Sequence, residues 1–234
     1  MLKLIKSQIP NTITCLNLIA GCMACIASFS CNQPINGLMG YQWVFIFMGV
    51  AAIFDFCDGA AARLLKAYSN LGKELDSLAD LISFGLAPSL LMFNTLSHFS
   101  QSSWIPFIAV AIAVGGALRL AKFNIDENQA TTFKGLPIPA NAIFWIGACN
   151  WIYTYQYPGD IAIIAIIAII TLLMVSNLKM TSLKFKNLNW RENFRRYVII
   201  LAAILFVSLW GISGFAWTIC FYILISIFVR KGNK

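Results

Sequence analysis

Residues 55–80 read DFCDGAAARLLKAYSNLGKELDSLAD. Four aspartates, Asp55, Asp58, Asp76 and Asp80, stand at the facing ends of two apolar runs, 41–62 and 74–95, each long enough to cross a bilayer as a helix. A carboxylate held against hydrocarbon costs roughly 2.5–3.5 kcal/mol or more unless something compensates it. Four of them in two consecutive spans imply bound cations. On a helix turning about 100° per residue, Asp55 and Asp58 lie about 60° apart, and Asp76 and Asp80 about 40° apart. Each pair therefore shares a face, and the short connection between the runs brings the two faces to one membrane surface around a common cavity.

Composition extends that reading to the whole chain. Its 234 residues are 59% hydrophobic and 11% charged, with a mean hydropathy of +0.76, values outside the range of a soluble globular domain. The apolar runs predict an all-α polytopic membrane protein of about eight transmembrane helices, at 12–30, 41–62, 74–95, 103–124, 138–156, 159–176, 196–211 and 213–229. Lys and Arg sort to alternate connections. Lys3 and Lys6 precede the first span; Arg63, Lys66 and Lys73 surround the second connection; Arg119, Lys122 and Lys134 flank the fourth. Lys179, Lys184, Lys186, Arg191, Arg195 and Arg196 fill the sixth, and Arg230, Lys231 and Lys234 follow the last. The connections at 31–40, 96–102, 155–159 and 211–213 carry neither residue. The positive-inside rule then places both termini in the cytoplasm and the aspartates at the cytoplasmic face of the cell's inner membrane. The net charge of +8 becomes a basic rim that attracts anionic headgroups, rather than a nucleic-acid surface.

Residues 1–10 alternate Leu2, Leu4, Ile5 and Ile9 with Lys3 and Lys6, as an interfacial amphipathic segment would, and 11–234 form a single transmembrane catalytic domain. A signal peptide is the competing reading of the start, opposed by an apolar run long enough to span. The seven cysteines show no metal-binding spacing beyond Cys22 and Cys25 inside a span, and read as small packing residues. His98, the single histidine, falls near the side opposite the acids. The polar stretch 177–196 reads as a cytoplasmic loop with Trp190 at the interface.

With no His or Cys among them, the acids offer only oxygen ligands, which favours Mg²⁺, Mn²⁺ or Ca²⁺ over zinc. Four carboxylates have room for two ions about 3.5–4 Å apart, the spacing that serves phosphoryl displacement. Gly59 follows Asp55 by one turn and Ala62 follows Asp58 by one turn, so small residues extend the acidic face and leave space for a bulky group. Arg63 adds a fork suited to phosphate. Ser69 and Gly72, in the connection, add a hydroxyl and bare backbone within reach of the same ligand.

The pattern DGxxAR, eight residues, then GxxxDxxxD, with a further Asp three positions before the first, resembles the signature of the CDP-alcohol phosphotransferase family at every fixed position. The resemblance implies that Asp55, Asp58 and Asp76 bind divalent metal, Mg²⁺ or Mn²⁺, and that Asp80 is the general base as well as a ligand. It places Gly59 and Arg63 at the cytidine diphosphate, with Ser69, Ala62, Gly72, Asn11 and Thr14 as further candidates for binding CDP-diacylglycerol. It also implies a homodimer. Gly115 and Gly116 suit either a contact between copies or packing within one chain.

Further segments resemble the serine-accepting branch of that family: Ile9–Pro10–Asn11 with Thr14 and Asn17; Ser83 to Pro88; Ala117 to Asn124; and Phe133 to Pro139. The branch more often carries Arg where Lys122 stands. The resemblance covers residues 9–139, and 140–234 match only in hydropathy and number of spans. It implies transfer of the phosphatidyl group of CDP-diacylglycerol to L-serine, with Ser83, Arg119, Lys122 and Asn124 as candidates for the acceptor or phosphate. Ser83 follows Asp80 by three residues and so, on an α-helix, faces the acids. Arg119 and Lys122 have a plainer reading as snorkelling topology residues. A sister enzyme acting on glycerol phosphate or inositol phosphate is the alternative, for which Arg191, Arg195 and Arg196 offer a cationic pocket. A divalent-cation transporter is a remote one, because the outer halves of the spans lack polar groups.

Overall fold

The structure is a computed structural model that describes residues 2–125, 134–181 and 189–228. Nine α-helices occupy most of these residues: α1 (Leu2–Ser28), α2 (Gly40–Leu65), α3 (Asn70–Asp80), α4 (Ala87–Phe99), α5 (Val110–Ile125), α6 (Ile138–Thr154), α7 (Asp160–Val175), α8 (Trp190–Trp210) and α9 (Gly214–Phe228). Each of the eight expected apolar stretches coincides with one of these helices or with the α3–α4 pair. Among the described residues five segments are long and apolar enough to cross a membrane: Gln8–Ser28, Gly40–Leu65, Asn70–Phe99, Ile105–Ile125 and Asn193–Ile227. Helix α7 is apolar but shorter. The last long segment is interrupted by a 3₁₀ turn at Gly211–Ser213, where Gly211 takes a φ of 57°, and α8 and α9 pack against each other across it. Of the residues discussed above, Phe133, Lys184, Lys186, Arg230, Lys231 and Lys234 lie outside the described residues, as do the side chains of Lys3, Lys6 and Arg191.

Helix α1 runs through Pro10 without a break, so the amphipathic start and the first span form one rod. It packs on α2, α3 and α4, which makes it the element that joins the two acid-bearing helices. The turn between those helices is closely specified. Lys66 sits in the left-handed region at φ 50°, Ala67 N donates to Ala62 O at 3.0 Å, and Ser69 caps α3 by accepting from Gly72 N at 3.0 Å. After Asp80 the chain does not continue as α-helix. Leu81–Leu86 is π-helical, and Asn141 of α6 donates to Phe84 O within it at 3.1 Å.

The core is apolar, from Val44 and Met48 through Leu91, Trp145 and Ile167. Outward-facing residues such as Ile26, Ile53, Ile161 and Leu172 are apolar too, as expected where the surroundings are lipid. Close approaches depend on small residues. Gly115 lies against Thr171 and Met174 of α7, and Gly116 against Ile138 and Gly85, so this pair is used within the chain.

The two ends of the bundle differ chemically. At the acid end, cations lock the helix termini: Lys73 Nζ donates to Asn124 O at 3.1 Å, and Lys122 Nζ to Val175 O at 2.8 Å. Gly135 N donates to Leu178 O at 2.7 Å beside them. At the opposite end aromatic rings gather. Tyr41 stacks on Tyr153 at 4.2 Å, Phe99 meets Tyr153 edge-on at 5.2 Å, and Tyr153 Oη donates to Asn32 Oδ1 at 2.6 Å. His98, exposed in the last turn of α4, lies against Phe99. This end also holds a feature that hydropathy does not signal, a short hairpin of β1 (Pro34–Ile35) and β2 (Leu38–Met39) turning at Asn36 and Gly37. Both turn residues have positive φ, 48° and 84°, as Asn-Gly in a two-residue hairpin demands.

Helix α9 docks on α6 at Gly147, where an added Cβ would come within 3.0 Å of Ala216 Cα and closer still to its nitrogen. Gly147→Val is therefore expected to cost about 1–3 kcal/mol by overpacking. Thermal unfolding of the detergent-solubilised protein checks this, and an unchanged midpoint would contradict the docking.

Candidate functional site

The acid pairs meet as their helical phases require. Ligand oxygens from Asp55, Asp76 and Asp80 all lie within 4.8 Å of one another. Asp58, buried beside them, is turned toward α1, where its Oδ2 accepts from Thr14 Oγ1 at 2.6 Å. Asp80 is 8% exposed, and its Oδ1 accepts from Asn17 Nδ2 at 3.2 Å. Asp76 Oδ1 is buried and has no hydrogen-bond partner among the described residues.

A cavity of about 490 Å³ opens beside the cluster. Of the residues anticipated from sequence, its wall brings together Asn11, Thr14, Asp55, Asp58, Gly59, Ala62, Arg63, Ser69, Gly72 and Asp76. Small side chains give it room: Gly59 is open on its Cβ side, and Ala62 stands one turn from Asp58. Gly72 is needed for a different reason, since a Cβ there would press to 2.9 Å from Asn11 Oδ1. Arg63 Nε donates to Gly59 O at 3.0 Å, which lays the guanidinium along the rim. Tyr68 and Lys73 also line the wall, although neither belongs to a fixed position of the signature.

Asp80 belongs to the acid cluster but not to this wall, and four residues anticipated at the acceptor end do not lie on it either. Ser83 is fully buried and donates to Asn17 Oδ1 at 2.7 Å, so it does not face the cavity. The expectation assumes α-helical phase beyond Asp80, and the π-helical Leu81–Leu86 breaks that phase at the residue after it. Lys122 is committed to the carbonyl end of α7, and Asn124 Nδ2 donates to Ser77 Oγ at 2.9 Å, tying α5 to α3. Arg119 is buried at 5% exposure rather than snorkelling, its Cζ 5.4 Å over the Phe123 ring, and its Nε has no partner among the described residues. Asn17 is the polar group at the cluster that sequence reading does not assign to the site. Its spacing of three residues from Thr14, and of six from Asn11, is the available signal, and its partners disclose the role.

The cluster fits a divalent cation. Ligand oxygens of three residues within 4.8 Å of one another surround a common centre on which an ion with Mg–O contacts of about 2.1 Å can draw them together by side-chain rotation. The buried, unpartnered Asp76 oxygen is the group such an ion would satisfy.

Residues 7–208 match the family model of CDP-alcohol phosphatidyltransferase. The chain belongs to that family. Among its curated relatives, a Bacillus subtilis protein is 37% identical over 172 residues, 70% of this chain and 90% of that protein. One from Methanocaldococcus jannaschii is 34% identical over 213 residues, 91% and 88% of the two chains. One from Helicobacter pylori is 31% identical over 206 residues, 85% and 81%. All three are named CDP-diacylglycerol–serine O-phosphatidyltransferase. The family match takes in α1 through nearly all of α8, so it covers every element of the cavity.

Thr14 holds Asp58 from α1, beside the three gathered carboxylates. Thr14→Val is expected to weaken Mn²⁺ binding by about 10-fold or more. Titration of chelator-treated protein with Mn²⁺, followed by electron paramagnetic resonance, measures this, and unaltered affinity would show that the contact does not organise the site.

Proposed function

We propose that this protein transfers the phosphatidyl group of CDP-diacylglycerol to L-serine, giving phosphatidylserine and CMP. The observation that carries the reading is the acid cluster beside a cavity lined by the signature residues, in a chain whose relatives bear the name of that reaction. Asp55, Asp58, Asp76 and Asp80 would hold Mg²⁺ or Mn²⁺, with room for two ions. The chemistry such ions supply when bound is neutralisation of the diphosphate and of the charge that develops as CMP departs.

The proposal gives the chain's own groups the following roles. Arg63, at the rim, and the N-terminal turn of α3 at Ser69 and Gly72 receive the diphosphate, while Gly59 and Ala62 leave space for the nucleotide. Asp80 accepts the proton of the serine hydroxyl as that oxygen attacks the lipid-bearing phosphorus. The new P–O bond forms as the bond to CMP breaks, and CMP leaves with the electron pair. Arg119 is assigned to the serine carboxylate or the lipid phosphate, supported by a buried guanidinium whose Nε has no partner among the described residues.

The same reading sets the protein in the cell's inner membrane with eight spans and with both termini and the cavity on the cytoplasmic side. It is supported by the gathering of cations at the acid end. A soluble acceptor and a lipid headgroup then meet at one depth. The homodimer implied by family resemblance is retained as part of the proposal, without support from Gly115 and Gly116.

Purified protein given CDP-diacylglycerol and Mn²⁺ or Mg²⁺ should release CMP with serine. Release with glycerol phosphate or inositol phosphate and none with serine would overturn the acceptor. Asp80→Asn should lower turnover by about 10²–10⁴-fold while CDP-diacylglycerol still binds. Turnover like that of the unaltered protein would remove Asp80 from the role of base.

A further inference from the structure

Asp80 closes α3, and one of its two oxygens is already engaged. Asn17 Nδ2 donates to Asp80 Oδ1 at 3.2 Å from the buried face of α1. Asn17 Oδ1 in turn accepts from Ser83 Oγ at 2.7 Å, and Ser83 Oγ lies 3.2 Å from Asn17 O. Asn17 and Ser83 both have no exposed surface.

The amide has only one workable orientation in this setting. An ionised carboxylate offers acceptors alone, so the amide nitrogen must face Asp80. The amide oxygen then needs a donor, and the Ser83 hydroxyl supplies it. Turned over, the amide would set oxygen against oxygen at Asp80 and forfeit a buried hydrogen bond.

The fold provides for this contact at two further positions. Gly21 follows Asn17 by one turn on α1, and a Cβ there would come to 2.9 Å from Ser83 Cα and nearer to its hydroxyl, so only glycine lets α1 touch the chain at Ser83. The π-helical Leu81–Leu86, beginning directly after Asp80, shifts Ser83 out of α-helical phase and onto Asn17 instead of the cavity.

We propose that Asn17 is a positioning residue for Asp80. It holds Oδ1 so that the other carboxylate oxygen stays available to the acceptor hydroxyl. Ser83 acts through Asn17, by donating to the amide oxygen and so holding the amide in place against Asp80, and does not touch the acceptor. This rests on the reading of Asp80 as the base.

The test is a double-mutant cycle at saturating Mn²⁺, with kcat and the KM of each substrate measured separately. Asn17→Leu, similar in volume but without a donor, should lower kcat by about 10²-fold, the scale of a catalytic group misplaced by about 1 Å. The KM for CDP-diacylglycerol should change less than about threefold, because that substrate's binding groups are untouched. Ser83→Ala, which only removes a hydroxyl, should lower kcat by about five- to tenfold, as for one neutral hydrogen bond. The combined variant should be no slower than Asn17→Leu alone, since Ser83 has no effect once the amide is gone.

Unaltered kcat in Ser83→Ala or Asn17→Leu overturns the proposal. So do additive losses, or a Ser83→Ala defect confined to the acceptor's KM, which would return Ser83 to the substrate. Should Asn17→Leu fail to fold, Ser83→Ala decides by itself. Asp80→Asn in the same assay separates the two levels: an active variant removes the base, whereas an inactive one beside a normal Asn17→Leu removes only the positioning role.

Discussion

Carboxylates at the end of a membrane helix need donors or cations, and in this fold the donors come from α1. Asn11, Thr14 and Asn17 are spaced three residues apart along it. Thr14 donates to Asp58, Asn17 donates to Asp80, and Asn11 stands against Gly72 at the head of α3. Because α1 packs on both α2 and α3, these contacts decide how the two acid pairs face each other. The turn at Lys66 to Ser69 limits the distance between the helices, and α1 selects the orientation. An apolar α1 of equal length would bury as much surface and leave two of the acids without a partner.

That arrangement makes four chemically identical side chains unequal. Asp58 and Asp80 each spend an oxygen on α1, while Asp76 keeps a buried oxygen that has no partner among the described residues. The cavity opens on the side of Arg63, Ser69 and Gly72, where cationic and backbone N–H groups suit an anionic ligand. Its position at the end of the bundle where Lys73 and Lys122 cap helices lowers the cost of the charges.

Most of the frame is legible in the chain because hydropathy and the 100° helical step are local properties. The helices lie where apolar runs predict them, and the acids meet because their spacing is α-helical through Asp80. Legibility ends where that regularity ends. Ser83 projects onto the cavity only if the α-helix continues, and the π-helical turn carries it to Asn17 instead. Arg119 is as consistent with snorkelling as with burial from sequence, and only the packing around Phe123 distinguishes them. Lys122 and Asn124 are legible as polar residues near the site, but their partners, Val175 O and Ser77, are tertiary contacts with no trace in local pattern. The Asn36–Gly37 hairpin is written in the sequence, yet so short a sheet makes little impression on hydropathy.

The proposed reaction is a single direct displacement at phosphorus, with Asp80 serving the attacking hydroxyl and no side chain forming a bond to the lipid. Its most direct measurement is the stereochemical course at the lipid-bearing phosphorus, followed with CDP-diacylglycerol made chiral there by isotopic or sulfur substitution. One in-line attack predicts inversion of configuration in the phospholipid product. Retention would mean two successive displacements through a phosphatidylated side chain, and would contradict both the role of Asp80 as base and that of the residues that hold it.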